Sequence, residues 1–354
     1  MSYYKGRNVL VTGHTGFKGS WLSSWLLWLG ASVTGFSLPL DPGEPSLFEI
    51  MGIEREMRSI SGDVRNPEIL AEVFRKNRPE IIFHLAAQSL VRRSYREPLE
   101  TYSTNVLGTA NVLEAARHCP SVGAIVVITS DKCYQNREWI WGYRENEPLG
   151  GRDPYSSSKA CAELVTAAYA KSFFSAPDAA SIASARSGNV IGGGDWAEDR
   201  LVPDIVRALT TGTPVLLRNP GSVRPWQHVL EPLNGYMMLG EKLLNNSADY
   251  TGAWNFGPPD SDNLTVGAMT EKFIALWGAG SLEVSHDPES LHEARLLKLD
   301  CSKSRDELGW KPVLGAEESI GMTVDWYRNY FEEPARAAEK TGQQIAAYCA
   351  RLTP

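Results

Sequence analysis

The sequence is poor in the residues that build disulfide frameworks and metal sites. Five cysteines are scattered over 354 residues, and no two of them have the spacing of a zinc or redox pair. The six histidines include no His-x-x-x-His pair. Because disulfides belong to oxidising compartments, this pattern predicts reduced thiols, no metal centre and a cytoplasmic protein.

Excess positive charge and long apolar runs are also missing. The formal net charge is -7, so no basic surface argues for a nucleic-acid partner. The apolar run at residues 21–29 is too short to cross a bilayer, and it lacks the basic segment and cleavage site of a signal peptide. We therefore expect a buried helix there and no membrane partner.

A glycine-rich turn follows the first apolar run of strand length, residues 9–12. Gly13, Gly16 and Gly19 have the spacing Gly-x-x-Gly-x-x-Gly, and an apolar helical stretch begins at Ser20. In dinucleotide-binding folds the first glycine makes the tight turn, the second lets the backbone approach the pyrophosphate, and the third lets the helix pack on its strand. The arrangement predicts a dinucleotide site at this turn.

The residues expected around the adenosine moiety are only partly present. The second predicted strand, residues 32–37, ends without the acidic residue that holds the ribose diol in such folds, and Asp41 is one late substitute. No arginine follows directly to bind a 2′-phosphate, so NAD is favoured over NADP. Asp63 has two interpretations, as a partner for the adenine amino group or as the cap of a helix beginning near Pro67.

Strand-like and helical stretches alternate through the first half of the chain. The alternation predicts an α/β fold with a Rossmann-type, doubly wound parallel sheet. After residue 188 glycine, proline and tryptophan become frequent. We expect residues 1–188 to form the NAD-binding domain, to which segments around residues 225–258 return. Residues 189–354 should form mainly a smaller, mixed α/β lobe that binds substrate.

Tyr155 and Lys159 stand four residues apart at the head of a helical pattern. Both side chains therefore project from one face of the predicted helix. An ammonium beside a phenol favours the phenolate and lowers a pKa that starts near ~10. A tyrosine that exchanges a proton near neutral pH is what alcohol–ketone interconversion needs. On this motif alone, a chance Tyr-x-x-x-Lys on an exposed helix is the alternative.

Five stretches together resemble the extended short-chain dehydrogenase/reductase family, and they occur in the same order. They are residues 12–19, 84–88, 155–159, 186–190 and 308–310. Within that family the chain is similar to the sugar-nucleotide 4,6-dehydratases. Lys132 stands where the dehydratases of dTDP- and GDP-sugars carry glutamate, and this resembles the CDP-glucose branch. Other stretches that resemble this branch are residues 13–22, 44–48 and 192–196.

The resemblance implies a hydro-lyase that uses NAD to convert CDP-glucose into its 4-dehydro-6-deoxy product, in deoxysugar and surface-polysaccharide biosynthesis. It implies Tyr155 as the base at the C4 hydroxyl, Lys159 as its cationic partner, and Ser130 as a hydrogen-bond donor to the C4 oxygen. Asp131 fits the acid for the C6 hydroxyl if its surroundings keep it protonated. Lys132 is either the base at C5 or a group that positions the substrate, and the sequence leaves both open.

The resemblance also implies residues that bind the two small molecules. Asn105 has a second interpretation as a buried bracket between loops, and Arg224 with Trp226 would suit a diphosphate and a ring, or else belong to a solvated loop. The expected cofactor-binding residues are Gly13, His14, Gly16, Phe17, Gly19, Asp63, Val64, Leu85, Ala86, Ala87, Asn105, Thr129, Tyr155 and Lys159, and the expected substrate-binding residues are Gln88, Asn189, Arg200, Arg218, Arg224 and His228.

Two other functions and one assembly are compatible with the same residues. A nucleotide-sugar 4-epimerase would use Tyr155, Lys159 and NAD but has no need of Asp131 and Lys132. A non-catalytic NAD-binding regulator would need none of the catalytic set. The resemblance further implies a homodimer, or a higher assembly, through a four-helix bundle formed by the helix after Asn105 and the helix from Tyr155.

Overall fold

The computed structural model describes residues 2–43, 45–245, 248–285 and 295–352. Glu44, which belongs to the stretch 44–48 used above, lies outside those ranges. Within them the strands are β1 (Asn8–Thr12), β2 (Ser32–Ser37), β3 (Arg58–Ser61), β4 (Ile81–His84), β5 (Ala124–Ile128), β6 (Ser181–Ser187), β7 (Val190–Ile191), β8 (Val215–Leu217), β9 (Val223–Arg224), β10 (Gln227–His228), β11 (Gly252–Phe256), β12 (Leu264–Thr265) and β13 (Leu282–Val284).

Helices follow most of these strands. They are α1 (Phe17–Trp28), α2 (Leu47–Met51), α3 (Pro67–Asn77), α4 (Val91–Arg96), α5 (Pro98–Tyr102), α6 (Gly108–Arg117), α7 (Pro154–Phe173), α8 (Leu201–Thr211), α9 (Leu230–Leu244), α10 (Val266–Trp277), α11 (Ser302–Asp306), α12 (Ala316–Glu332) and α13 (Ala337–Leu352). A π-helical turn, Ser103–Leu107, separates α5 from α6. No helix in the described ranges has the length and hydropathy of a membrane span.

A seven-stranded parallel sheet forms the centre of the molecule, in the order β11-β6-β5-β4-β1-β2-β3. The predicted doubly wound α/β class is confirmed. Strands β1 and β4 are neighbours in the sheet, and the strand order reverses between them. The connections that follow these two strands therefore run in opposite directions. A crevice opens there at the carboxyl ends of the strands, which is where ligands bind in open α/β sheets.

The core lies on both faces of this sheet because the side chains of each strand alternate. In β1, Val9 and Val11 face one cluster and Leu10 faces the other. The first cluster contains the buried face of α1, with Trp21 and Trp25 fully enclosed. The helix predicted at residues 21–29 is confirmed, but its other face is exposed, with Trp28 at 52%. Burial of such large apolar side chains contributes about 2–3 kcal/mol each.

Short strands and helices after β6 form the opposite wall of the crevice. Strand β7 pairs with β10, β9 with β12, and β8 with β13. Helix α8 packs beside β8, and α12 crosses the back of β10. Strand β11 returns to the sheet and extends it beyond β6. The crevice therefore has one wall of strand ends and one of irregular segments.

Candidate active site

The glycine-rich turn joins β1 to α1 and approaches the end of β4 closely. Gly13 has a φ of +74°, and a Cβ at this position would lie 2.7 Å from the backbone nitrogen of Ala86. A Cβ on Gly19 would collide with the carbonyl oxygen of Gly13. Gly16 is the N-cap of α1 and contributes no side chain, and Gly16, Phe17 and Lys18 line the crevice. Such a helix end suits an anionic pyrophosphate.

The adenosine end of the crevice is lined by Ser37, Leu38 and Asp63. The carboxylate of Asp63 is 2.6 Å from a guanidinium nitrogen of Arg65, whose hydrogen bond lowers the pKa of Asp63 against the effect of burial. The N-cap of α3 is Asn66 and not Asp63, so the capping interpretation is wrong.

Asp41, the late substitute for the ribose acid, folds back on its own turn. Its Oδ1 accepts a hydrogen bond of 3.1 Å from the backbone N–H of Gly43. The crevice is instead lined at this point by Ser37, whose hydroxyl is 2.7 Å from that of Thr15. Neutral hydroxyls therefore stand where dinucleotide-binding folds carry an acid.

His14 was expected to bind the cofactor, but its side chain is buried beneath β2. The Nε2 atom lies 2.8 Å from the Ser59 hydroxyl, and the ring packs edge-on against Phe48. A Cβ on Gly35 would overlap the imidazole. Burial lowers the pKa of His14 to about 4. The ring is a neutral packing group that fixes the glycine-rich turn on β2, and its side chain does not line the crevice.

The catalytic tyrosine expected from the sequence lies at the start of α7. Asp153 caps this helix by accepting a 2.9 Å hydrogen bond from the backbone N–H of Ser156. Ser94 accepts another, of 3.1 Å, from the backbone N–H of Tyr155. Tyr155 is only 8% exposed and lines the crevice. These two contacts to the backbone fix the start of the helix that carries the phenol.

Ser130 and Lys159 flank Tyr155, and their effects on it differ from the expectation. Burial raises the pKa of Tyr155 to about 12, and a hydrogen bond with Ser130 is the main opposing effect, followed by the charge of Arg200. Burial lowers the pKa of Lys159 to about 8, against the attraction of Glu163. The ammonium of Lys159 donates to the carbonyl oxygen of Ile128 at 3.2 Å, so its contact is with the end of β5.

A buried ion pair beneath the site fixes the ends of β5, β6 and α7. Arg186 donates from Nη2 to Oε2 of Glu163 at 2.8 Å and from Nε to Oε1 at 2.9 Å. Glu163 also accepts hydrogen bonds from the hydroxyls of Thr129 and Ser184. Thr129, an expected cofactor ligand, lines the crevice but directs its hydroxyl into this pair. Glu163 lies one turn after Lys159, and its charge raises the pKa of the lysine against the effect of burial.

Asp131 and Lys132 lie in a single 3₁₀ turn directly after Ser130. The Asp131 side chain is 2% exposed, and its Oδ1 accepts a hydrogen bond of 3.0 Å from Ser130. Burial raises the pKa of Asp131, although Lys132 and more distant cations oppose this. The ammonium of Lys132 lies 5.9 Å from the centre of the Tyr155 ring. A carboxyl whose pKa is raised by burial and a lysine are thus both close to the phenol.

Asn105 and Gln88 are occupied by contacts within the protein. Asn105 donates from Nδ2 to the carbonyl oxygen of Gln88 at 2.9 Å and accepts from its backbone N–H at 2.8 Å. Gln88 donates from Nε2 to Thr101 at 2.9 Å and accepts from the backbone N–H of Leu90 at 2.5 Å. The bracket interpretation of Asn105 is confirmed. The amide groups of both side chains hold the loop after β4, so their expected roles as ligands receive no support from these contacts.

Arginines line the far end of the crevice. Arg200 is 3.0 Å from the carboxylate of Asp195 and donates to Ser89 at 2.8 Å. Arg218 pairs with Asp199 at 3.4 Å. Other residues that line this end are Asn189, Arg224 and Trp226, together with Arg92, which the sequence reasoning missed. A cluster of guanidinium groups suits the diphosphate of a sugar nucleotide.

His228 does not belong to this cluster. The residue is completely buried, and its ring packs edge-on against Trp21 with 5.7 Å between centroids. Burial lowers the pKa of His228 to about 3. Position 228 faces the core behind β10 rather than the crevice, so the expectation that it binds substrate is wrong.

Lys18 is a crevice residue that the sequence reasoning missed. It stands between Gly16 and Gly19, and its ammonium donates to the hydroxyl of Ser187 at 2.8 Å. The residue lines the crevice on the side of Tyr155 and Asp131. The available signal was a charged residue among packed neighbours in the first turn of α1, because such a side chain must find a polar partner.

The crevice has a volume of about 1400 Å³. Single ligand pockets are usually about 300–1000 Å³, so this space exceeds what one small molecule needs. It runs from the glycine-rich turn, past Tyr155, to the arginines. A dinucleotide with its pyrophosphate at Gly16 fits the residues present, and room remains for a second nucleotide near Arg218. In the described ranges no group of histidine, cysteine or acidic side chains could hold a metal ion.

Known proteins are similar in sequence to this chain over most of their length. A CDP-glucose 4,6-dehydratase of Salmonella typhimurium is 51% identical over 331 residues, 92% of each chain. A dTDP-glucose 4,6-dehydratase of Streptomyces antibioticus is 30% identical over 76% of each chain.

Solved structures of dTDP-glucose 4,6-dehydratases have a similar fold. A dTDP-glucose 4,6-dehydratase from Bacillus anthracis in complex with NAD has a TM-score of 0.78 at 25% identity, and covers 93% of this chain and 98% of its own. One from Streptomyces venezuelae, solved with NAD bound, has a TM-score of 0.78 at 26% identity over 92% and 99%. The family model for GDP-mannose 4,6 dehydratase matches residues 10–323. The chain therefore belongs to the GDP-mannose 4,6-dehydratase family.

Proposed function

We propose that this protein is an NAD-dependent CDP-glucose 4,6-dehydratase, a hydro-lyase of deoxysugar biosynthesis. The observation that carries the proposal is the placement of Asp131 and Lys132 in one turn beside Ser130 and Tyr155. An epimerase needs an acid and a base only at C4, whereas a dehydratase needs a second pair for C5 and C6. The 51% identity to the Salmonella enzyme supports the CDP-sugar.

The cofactor would be held by the glycine-rich turn, with Asp63 at the adenine end and Lys159 at the ribose near Tyr155. When bound, NAD supplies a hydride acceptor that later returns the hydride, so the overall reaction is the loss of one water without net oxidation. The protein contributes position and charge: the α1 N-terminus would hold the pyrophosphate, and Ser37 and Thr15 would hydrogen-bond the ribose in place of the missing acid.

The residues act in two stages on the sugar. Tyr155 removes the proton of the C4 hydroxyl, and Ser130 turns its single O–H from Asp131 to the C4 oxygen as it becomes a carbonyl. The ketone makes the C5 proton acidic. Asp131, whose pKa burial raises, gives its proton to the C6 hydroxyl, which leaves as water. Lys132 is the candidate base at C5, and the alternative is that it positions the C6 oxygen.

Mass spectrometry of the reaction mixture tests the proposal. The purified protein is incubated with NAD and, in separate samples, with CDP-, dTDP-, UDP- and GDP-hexoses. We expect CDP-glucose to lose one water and the other nucleotides to stay unchanged. A product of unchanged mass but altered sugar would contradict the dehydratase and indicate an epimerase. No change with any sugar nucleotide, although NAD binds, would indicate a regulator.

We propose further that the protein is a cytoplasmic homodimer. The cysteines are unpaired in the described ranges, which supports a reducing compartment. Large apolar side chains are exposed on adjoining helical segments, Leu99 at 84%, Leu107 at 61% and Leu164 at 59%. Helices α6 and α7 pack together there, and two such pairs would form a four-helix bundle that buries these side chains.

Charge introduced into this surface should separate the dimer. The double variant Leu107→Arg with Leu164→Arg would place four guanidinium groups in the bundle of a dimer, where their desolvation is costly. We expect the mass by light scattering at micromolar concentration to halve. Leu276→Arg, at a leucine 47% exposed on α10, is the matched control and should keep the wild-type mass. An unchanged mass in the double variant would contradict the proposed interface.

A further inference from the structure

Lys18 places a positive charge at the reacting end of the proposed cofactor site. It is the second residue of α1, inside the Gly-x-x-Gly-x-x-Gly stretch, and its side chain extends to Ser187 at the carboxyl end of β6, 2.8 Å away. The Ser187 hydroxyl is in turn 2.8 Å from that of Tyr236. The ammonium lies 6.0 Å from the centre of the Tyr236 ring. Contacts from α1, β6 and α9 therefore fix the charge in place.

Two of the charged groups that act on Lys18, Arg200 and Asp131, also act on Tyr155. Tyr155 marks the place where the C4 hydroxyl gives up its proton, so the nicotinamide must reach the same place to exchange the hydride. Burial lowers the pKa of Lys18 to about 7, with further lowering by the nearest cations and an opposing effect of carboxylates. These neighbours are Arg200, Lys159, Asp131 and Asp195.

We propose that Lys18 sets the relative affinity of the crevice for the oxidised and reduced cofactor. The inference rests on the proposed use of NAD. The nicotinamide ring is positively charged when oxidised and neutral when reduced, whereas the pyrophosphate is the same in both. An ammonium at the reacting end repels the positively charged oxidised ring but not the neutral reduced ring. It therefore weakens NAD⁺ binding relative to NADH and favours hydride transfer from the sugar to the cofactor in the first stage.

The effect should depend on pH in a defined direction. Lys18 with a pKa of about 7 is mostly charged at about pH 6 and mostly neutral at about pH 8. Binding of NAD⁺ favours the neutral lysine, so NAD⁺ binding should tighten as pH rises, and NADH binding should change less. Lys159, with a pKa of about 8, titrates in the upper part of this range. The comparison with a variant that lacks only Lys18 separates the two lysines.

The test is calorimetric binding of NAD⁺ and of NADH to protein freed of bound nucleotide, without substrate. In Lys18→Met we expect the ratio of Kd for NAD⁺ to Kd for NADH to fall about tenfold at about pH 6, which corresponds to a shift of about one unit in the pKa of Lys18 on binding. Between about pH 6 and about pH 7, below the range in which Lys159 titrates, the ratio should no longer vary with pH. Lys18→Arg keeps the charge and should retain the high ratio over the same interval. Lys311→Met, at an exposed lysine, is the matched control.

The possible results distinguish the role of Lys18 from the proposed use of NAD. A folded Lys18→Met protein with an unchanged ratio overturns the role of Lys18 and leaves the proposed function intact. If that variant does not fold, a wild-type ratio that is constant between about pH 6 and about pH 8 overturns it equally. Failure of the wild-type protein to bind either nucleotide would overturn the proposed cofactor, and the role of Lys18 with it.

Discussion

Replacement of Tyr155 by phenylalanine should lower kcat about 10²- to 10⁴-fold, the range by which a positioned acid–base group accelerates proton transfer. The change removes only the hydroxyl, and the helix cap at Asp153 and the Ser94 contact to the backbone remain. The Kd for NAD should therefore change little. Formation of reduced nicotinamide after addition of CDP-glucose, followed by absorbance, measures the affected step directly.

Tyr169→Phe is the matched control because Tyr169 lies on the same helix. Its hydroxyl contacts Glu114 at 3.4 Å, away from the crevice, and we expect full activity. The proposed role of Tyr155 would be contradicted if the phenylalanine variant formed product at the wild-type rate. Loss of NAD binding in that variant would instead indicate that the phenol holds the cofactor.

The pH dependence of kcat/KM follows from two groups. Only the phenolate accepts the C4 proton, and burial raises the pKa of Tyr155 to about 12, so the phenolate fraction and the rate should rise with pH through the neutral range. Lys159, with a pKa of about 8, loses its charge above that pH, but its ammonium contacts the carbonyl oxygen of Ile128, so the rise should continue through this range. The residual activity of Tyr155→Phe should lack the rising limb.

The fold could be predicted from the sequence because local patterns determine most of it. Apolar runs of strand length alternate with helical stretches, and Gly13 with Gly19 makes a turn that only residues without a side chain can form. Ser130, Asp131 and Lys132 are consecutive residues, and Tyr155 with Lys159 is one helical turn. Groups joined by such short spacing are placed together by local geometry, and the structure lines the crevice with all five.

The direction of individual side chains could not be predicted in this way. His14 and His228 lie in or near motif stretches, but their orientation depends on the packing of Gly35 and Trp21 against them. Their burial favours a neutral ring, which the sequence does not reveal. Asn105 was assigned two roles, and contacts with a segment 17 residues away decide for the bracket.

Lys18 was missed for a related reason. The spacing of the glycines accounts for the turn without any reference to the residue between them, and the partner of Lys18 lies 169 residues later in the chain. The ion pair of Glu163 with Arg186 likewise joins α7 to β6. Contacts of this kind appear only once the sheet has brought the strand ends together.

Replacement of Asp131 by asparagine should separate the two stages of the reaction. Asparagine keeps the shape of the side chain but has no acidic proton for the C6 hydroxyl, so we expect loss of water to slow about 10²- to 10⁴-fold. Oxidation at C4 needs Tyr155, Ser130 and Lys159, which remain. Reduced nicotinamide should therefore accumulate on addition of CDP-glucose, as measured by absorbance, while mass spectrometry finds little dehydrated product.

Asp306→Asn, at an aspartate whose side chain is 68% exposed, is the matched control and should form product normally. Normal product formation by Asp131→Asn would contradict the assignment of Asp131 as the acid. Absence of reduced nicotinamide would place Asp131 in the first stage instead.

Exchange of the C5 hydrogen with solvent deuterium then assigns the base. In Asp131→Asn the ketone forms and cannot proceed, so a base at C5 should exchange this hydrogen repeatedly. If Lys132 is that base, Lys132→Ala should keep C4 oxidation and lose the exchange, whereas exchange at the normal rate in Lys132→Ala would leave Lys132 only a positioning role. The two substitutions act on adjacent residues of one turn. Opposite effects on exchange would show that this turn carries both the acid and the base of the dehydration.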